Sequence, residues 1–131
     1  MFAPLKQIGK KNCLTENAGF DLTIPGQPDT VLAPDIAVIA TPTTRGSGYR
    51  KTPPLLAVEI VSPSQSKAEM LMKAQFYLSA GVQIVWIVWP DSRTVDVWTA
   101  SQQVTTLTER DTIDGGTVLP GYSCPVGEFF P

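Results

Sequence analysis

Leu55-Leu56-Ala57-Val58-Glu59-Ile60-Val61, the segment from Ser66 to Ala80, and Val82-Gln83-Ile84-Val85-Trp86-Ile87-Val88-Trp89 together decide the fold. The first run is apolar and rich in β-branched side chains, as expected of a strand buried on both faces. Ser66 stands three residues before Glu69, the spacing of a capping box. Met70, Leu71, Ala74, Tyr77 and Leu78 then recur on one helical face, and Gly81 supplies a stop. The last run again has the composition of a buried strand. Strand, helix and strand in this order predict a helix over about 66–80 in a parallel, right-handed crossover.

Working outward, Phe20-Asp21-Leu22-Thr23-Ile24 alternates with period two, and Pro25-Gly26-Gln27-Pro28-Asp29 turns the chain back as a hairpin. Val31 to Ala40 reads as the next strand, continuously apolar from Ile36 and so buried on both faces. Thr41 to Pro54 is a long loop. After a turn at Pro90-Asp91-Ser92-Arg93, Thr94 to Thr99 alternates and returns as an antiparallel hairpin, with Val104 to Thr108 as an edge strand. The tail, with Gly115-Gly116 and Leu119-Pro120-Gly121, reads as irregular, and residues 1–12 as a loose arm. The expectation is one α/β domain over residues 1–131, with a central mixed sheet, a crossover helix and a C-terminal β-hairpin.

Composition removes several classes of chemistry. With 43% hydrophobic and 17% charged residues, the chain has enough apolar material for a core. There is no histidine, and the two cysteines, Cys13 and Cys124, have no CxxC spacing, so a zinc site or an imidazole triad is excluded. No Gly-x-Ser-x-Gly elbow supports a serine hydrolase either. The longest apolar stretch, Val82 to Trp89, is less than half of what a membrane helix needs and contains Gln83. The first residues lack the basic-then-apolar run of a signal peptide, so a cytoplasmic protein with reduced thiols is expected. A net charge of −2 argues against tight non-specific phosphate binding, although bound cations would cancel the charge of a carboxylate site.

Asp35 follows Pro34 within a strand pattern and Glu59 lies in the middle of the next strand, so neighbouring strands could hold both carboxylates at one point. Two close carboxylates repel unless a cation joins them. Hard oxygen ligands with few protein contacts suit Mg²⁺, or Mn²⁺, which can activate a water for attack on a phosphodiester. The backbone carbonyl of Ile60 could complete the set. Lys73 lies on the flank of the helix beside its apolar face, where its ammonium could lean over the sheet and stabilise developing phosphorane charge.

The segments Pro34-Asp35, Val58-Glu59-Ile60-Val61-Ser62-Pro63-Ser64, Glu69, Lys73, Tyr77, Ala80-Gly81-Val82 and Trp86-Ile87-Val88 with Pro90 resemble the Uma family of restriction-endonuclease-like proteins, within the PD-(D/E)-x-K nuclease superfamily. The resemblance runs from about Thr15 through Leu119-Pro120-Gly121-Tyr122 to Phe129-Phe130. It implies a restriction-endonuclease-like fold, with Asp35 and Glu59 as metal ligands. It also implies Lys73 as the catalytic lysine, displaced onto the helix because the ordinary position, two after Glu59, holds Val61. Members of that family usually begin with an additional N-terminal helical segment, where here a short arm precedes the first strand. A helix-sized gap on a sheet would leave apolar surface for a homodimer or higher homo-oligomer to cover.

Each candidate also has an ordinary structural reading. Asp35 fits a strand-edge aspartate after proline. Glu59 has the weakest such reading, because a lone carboxylate in an apolar run cannot face solvent on both sides. Lys73 could simply pair with Glu69 at i−4, Glu69 is accounted for by the capping box, and Tyr77 by a core edge. Ser62 and Ser64 end a strand and begin a helix, though Ser62 also sits near Glu59. Arg45, Arg50 and Lys51, with Tyr49, form a local basic cluster and a candidate contact to a DNA backbone. Trp86, Trp89 and Trp98 could stack on bases but are more often core residues in strands. The expected function is Mg²⁺-dependent hydrolysis of DNA; the alternative is a non-catalytic homo-oligomeric or partner-binding domain of the same fold.

Overall fold

The computed structural model describes residues 13–16, 19–23, 25–26, 28–40 and 51–130. In chain order its strands are β1 (Cys13–Glu16), β2 (Phe20–Asp21), β3 (Val31–Leu32), β4 (Ile36–Ile39), β5 (Leu56–Ile60), β6 (Ile84–Trp89), β7 (Thr94–Thr99), β8 (Val104–Thr108), β9 (Thr112–Gly115) and β10 (Leu119–Pro125). Among the described residues one α-helix, α1 (Lys67–Ser79), joins β5 to β6, and a 3-10 turn, Val126–Phe129, follows β10. Six strands form a mixed sheet in the order β1-β4-β5-β6-β7-β8, while β2 with β3 and β9 with β10 form two-stranded ladders. This is the α/β class that the chain's hydrophobic pattern predicts.

The crossover is as expected: β5 and β6 pair in parallel, Leu56 opposite Ile84 through Ile60 opposite Val88. Ser66 caps α1, its hydroxyl accepting from the Glu69 amide at 3.1 Å. Met70, Ala74 and Tyr77 are the helix residues buried against the sheet, at the spacing of one helical face. At the other end Gly81 adopts φ +106, which only glycine takes without strain, and the Val82 amide donates back to the Tyr77 carbonyl at 3.0 Å.

Three expectations need correction. Val31 to Ala40 is two strands, not one: β3 pairs with β2, β4 joins the large sheet, and Ala33-Pro34-Asp35 separates them. Pro34 has no N–H to give a ladder, so the chain changes sheets there. The strand at Phe20 is correspondingly short, ending at Asp21. Second, β1 pairs antiparallel with β4 and covers its edge, although four residues are too few to show a period. Third, the tail is ordered: β9 and β10 pair antiparallel with a break in register between Leu119 and Ser123. The arm 1–12 and loop residues 41–50 lie outside the described residues.

The sheet separates two cores. Even-numbered β4 and β5 residues, Ile36, Val38, Leu56 and Val58, pack with Trp86 and Val88 under the tail's Ile113, Leu119 and Phe129. Odd-numbered Ala37, Ala57, Val85 and Ile87 pack under Met70, Ala74 and Tyr77 of α1, with Phe20. A strand covered on both faces reads as a continuous apolar run, which is why β5 and β6 are so uniform. Among the described residues no helix is long and apolar enough to cross a membrane.

Gly115 allows the tail to close. A Cβ there would run into the Cβ and carbonyl oxygen of Leu119, its partner across the ladder, so the backbone would have to move. Gly115→Ala should therefore destabilise the fold by about 1–3 kcal/mol, the usual range for overpacking. Urea unfolding measures it, and an unchanged midpoint would show that the hairpin contributes little to the back core.

Candidate active site

Glu59 lies on the helix face of β5, between Val58 and Ile60, which face the other core. It is the only buried charged residue among the described ones, 4% exposed. A carboxylate in such a place requires partners. Both come from α1: the Tyr77 hydroxyl donates to Oε2 at 2.6 Å, and the Lys73 ammonium donates to Oε1 at 3.2 Å. Tyr77 and Lys73 are four residues apart, on successive turns of the helix. The pairing of Lys73 with Glu69 is not what forms; its partner is Glu59, across from helix to sheet.

The second carboxylate arrives from the other side. β4 and β5 pair with Ile36 opposite Val58. Continuing that register by one residue sets Asp35 opposite Glu59 on the same face. Asp35 Oδ2 accepts from the Ile60 amide at 2.7 Å, which fixes the side chain at the start of β4. Among the described residues Asp35 Oδ1 accepts no hydrogen bond. The residues brought together are thus Asp35, Glu59, Ile60, Lys73 and Tyr77.

Glu69 and Ser62 are not part of this group. The Glu69 amide is engaged at the helix cap. Exposed Ser62 closes a local turn, its amide donating to Gln65 Oε1 at 3.0 Å and its hydroxyl lying 3.2 Å from that of Ser64. Lys51 is exposed, and its charge acts on Asp21; Arg45 and Arg50 lie outside the described residues. Of the tryptophans, Trp86 is in the core beneath the tail, whereas Trp89 and Trp98 line a groove beside α1.

Electrostatics set the state of the site. Burial raises the Glu59 carboxyl above its ordinary 4.5, with Asp35 adding to the rise, and the Tyr77 hydroxyl and Lys73 ammonium oppose it. Burial and the neighbouring Glu59 charge push Tyr77 far above the range of a free phenol, so its proton stays on and is donated. No group of three or more His, Cys, Asp or Glu side chains occurs among the described residues. Two carboxylates, one with an uncommitted oxygen, and a backbone carbonyl at Ile60 are hard oxygen ligands. They fit Mg²⁺ or Mn²⁺, which keeps much of its hydration, and do not fit a softer metal.

Tyr77 is the member whose role the sequence understated. Its helical position accounts for burial, and its place one turn beyond Lys73 was the available sign that both face the same strand.

Comparison with known proteins gives two results. Residues 3–127 match the family model Uma2, described as "Putative restriction endonuclease". The fold also matches a solved structure described as a "putative nuclease belonging to DUF820" from Anabaena variabilis. That match has a TM-score of 0.78 at 18% identity and covers 96% of this chain and 73% of that one. No curated protein matches the chain.

The raised Glu59 carboxyl makes a signed prediction for the metal-free chain. The folded state holds this proton more tightly than the unfolded state, so stability is lost as pH rises from about 4.5 toward the raised value. Relative to the parent, Glu59→Gln should gain stability across that window. Tyr77→Phe removes a hydrogen bond to the ionised form, extends the window upward, and should cost about 1.5–3 kcal/mol above it. Urea unfolding in EDTA at a series of pH values measures both. Parallel pH profiles for Glu59→Gln and the parent would contradict the assignment.

Proposed function

We infer function from one premise: this chain belongs to the Uma2 family, matched over residues 3–127. The reading it supports best is a nuclease that hydrolyses phosphodiester bonds of DNA at the Glu59 cluster with Mg²⁺ or Mn²⁺. The observation that carries it is the convergence of Asp35, Glu59 and Lys73, from a strand start, a mid-strand position and a helix, on one end of the sheet. A folding core alone has no need of that arrangement, since apolar residues in its place would pack without desolvated charge.

Asp35 and Glu59 would hold the cation, together with the Ile60 carbonyl. Once bound, the ion supplies Lewis-acid polarisation of the phosphate and activation of a water. The chain's own residues do the rest. Tyr77, protonated at any ordinary pH, fixes Oε2 of Glu59 and leaves the edge at Oε1 facing Lys73. Lys73 is partly exposed, its side chain at 28%, so its ammonium can reach a phosphate while staying tied to the sheet. There it would offset the negative charge that develops on the phosphoryl oxygens. Asp35 is held through Oδ2 by the Ile60 amide, and its Oδ1 accepts no hydrogen bond among the described residues.

The competing reading, a non-catalytic homo-oligomeric or partner-binding domain, is disfavoured by Glu59. A domain without use for a buried carboxylate would gain stability by replacing it.

Nicking of supercoiled plasmid by the purified protein in Mg²⁺ or Mn²⁺, absent in EDTA, is the expected result. Lys73→Ala should slow it by about 100-fold or more, as removal of one transition-state donor does elsewhere. Glu59→Ala and Asp35→Asn should also abolish the heat of Mg²⁺ binding in calorimetry. No nicking by the parent, together with no heat that Glu59→Ala removes, would leave the non-catalytic reading standing.

A further inference from the structure

The register that sets Glu59 on β5 continues across the sheet. Glu59 lies opposite Ile87 on β6, Ile87 opposite Asp96 on β7, and Asp96 opposite Thr106 on β8. Residues opposite one another share a face, so Asp96 points to the α1 side, two strand spacings, or about 10 Å, from Glu59. α1 covers β5 and β6 there and leaves the rest of the row open. The result is a groove of about 480 Å³, floored by Ile87 and Asp96 and walled by Met70, Leu71, Trp89 and Trp98.

Asp96 is built into this groove, not trailing from it. The Trp89 indole donates to Oδ2 at 2.8 Å and the Thr106 hydroxyl to Oδ1 at 2.7 Å. Those two bonds fix the carboxylate and use about half of its roughly four acceptor positions. No cation pairs with it among the described residues. Lys67, at the first turn of α1, lies on the rim. An apolar groove of ligand size with one oriented acceptor at its floor has the features of a small-molecule or base site.

We propose that this groove is a nucleobase subsite of the Glu59 centre. It takes one unstacked base of a DNA strand whose phosphate lies at Glu59, holds it against Trp89 and Leu71, and reads an exocyclic amino group with Asp96. The proposal rests on the nuclease reading for the position of the strand. A carboxylate accepts from the amino groups of cytosine and adenine and repels the carbonyl edge of thymine. Indole–base contact is indifferent to sequence and supplies affinity. A base can enter only from a single strand or a locally opened duplex, which makes such DNA the preferred substrate. Affinity from base contact also suits a chain with net charge −2, which cannot draw much from the phosphate backbone.

The test is binding of short oligo-dC, oligo-dA and oligo-dT in Ca²⁺ and in EDTA, read by tryptophan fluorescence, with plasmid nicking in Mg²⁺ run alongside. Oligo-dC and oligo-dA should bind about tenfold more tightly than oligo-dT, the low end of the discrimination of one base contact. Asp96→Asn should remove the preference, its thermal midpoint checking that the fold is kept. Ala68→Phe, at an exposed helix position on the groove wall, should weaken all three oligonucleotides without touching the core. Equal binding of oligo-dT and oligo-dC by the parent, a preference that survives Asp96→Asn, or tighter binding to duplex overturns the subsite. Nicking without base preference would retain the nuclease and reject the groove. Preference dependent on Asp96 without nicking would retain the groove as a base site and reject the catalytic reading.

Discussion

A carboxylate in the interior of a strand covered on both faces is the constraint from which the rest of this site follows. Glu59 is almost wholly buried, and moving it by one residue would place it in the other core. Its charge must be met by groups delivered to it. The sheet cannot supply them, because the neighbouring positions on that face are the apolar Ala57 and Ile87 and the like-charged Asp35. They come from α1, which must cross above β5 at the height where Tyr77 and Lys73 reach the two oxygens. The docking of the helix by Met70 and Ala74 and the hydrogen bonding of Glu59 are therefore one requirement. A small residue at 74 lets the helix approach closely enough for a tyrosine hydroxyl to bond at 2.6 Å.

The back of the sheet enforces this burial. Without β9, β10 and the 3-10 turn, the face carrying Val58 and Ile36 would be exposed, and β5 could slip by a residue to bring Glu59 to water. Ile113, Leu119 and Phe129 close that escape by covering the apolar set. The tail thus acts on the site through register, with Ile60 packed against the core that it covers. Gly115 is its narrow point, because the ladder brings the Leu119 backbone against the place where a side chain would stand.

The parts that were legible in the sequence are those governed by local rules. The β5-α1-β6 unit shows in apolar runs, a capping serine and a terminal glycine, and Glu59 stands out because nothing else in its run is polar. Asp35 was found for a partly mistaken reason: it lies at a break between strands, not within one. The break is where the chain changes sheets, and a proline that cannot donate fixes it there. What could not be read is what tertiary contacts decide. The tail's apolar residues are scattered among Gly, Pro and Ser, so no period marks them as strands. The alternation of Asp96 with Val95 and Val97 gives the two faces of β7 but does not say that the polar face looks under a helix edge. Lys73 gave an ambiguous signal, since its i−4 neighbour Glu69 offered an equally good local partner; desolvation of Glu59 decides between them, because the buried carboxylate has more to gain from the ion pair than an exposed one.

Placing the lysine on the helix has a mechanical consequence. A lysine two residues after Glu59 would share its strand and keep a fixed distance from it, whatever the helix did. Val61 occupies that place and packs under the helix instead. Lys73 and Tyr77 then ride together, so a displacement of α1 along the sheet loosens both oxygens of Glu59 at once. The same helix carries Ala68 and Leu71 on the groove wall. The groove wall and both donors to Glu59 therefore belong to one helix of 13 residues, capped at one end by Ser66 and stopped at the other by Gly81.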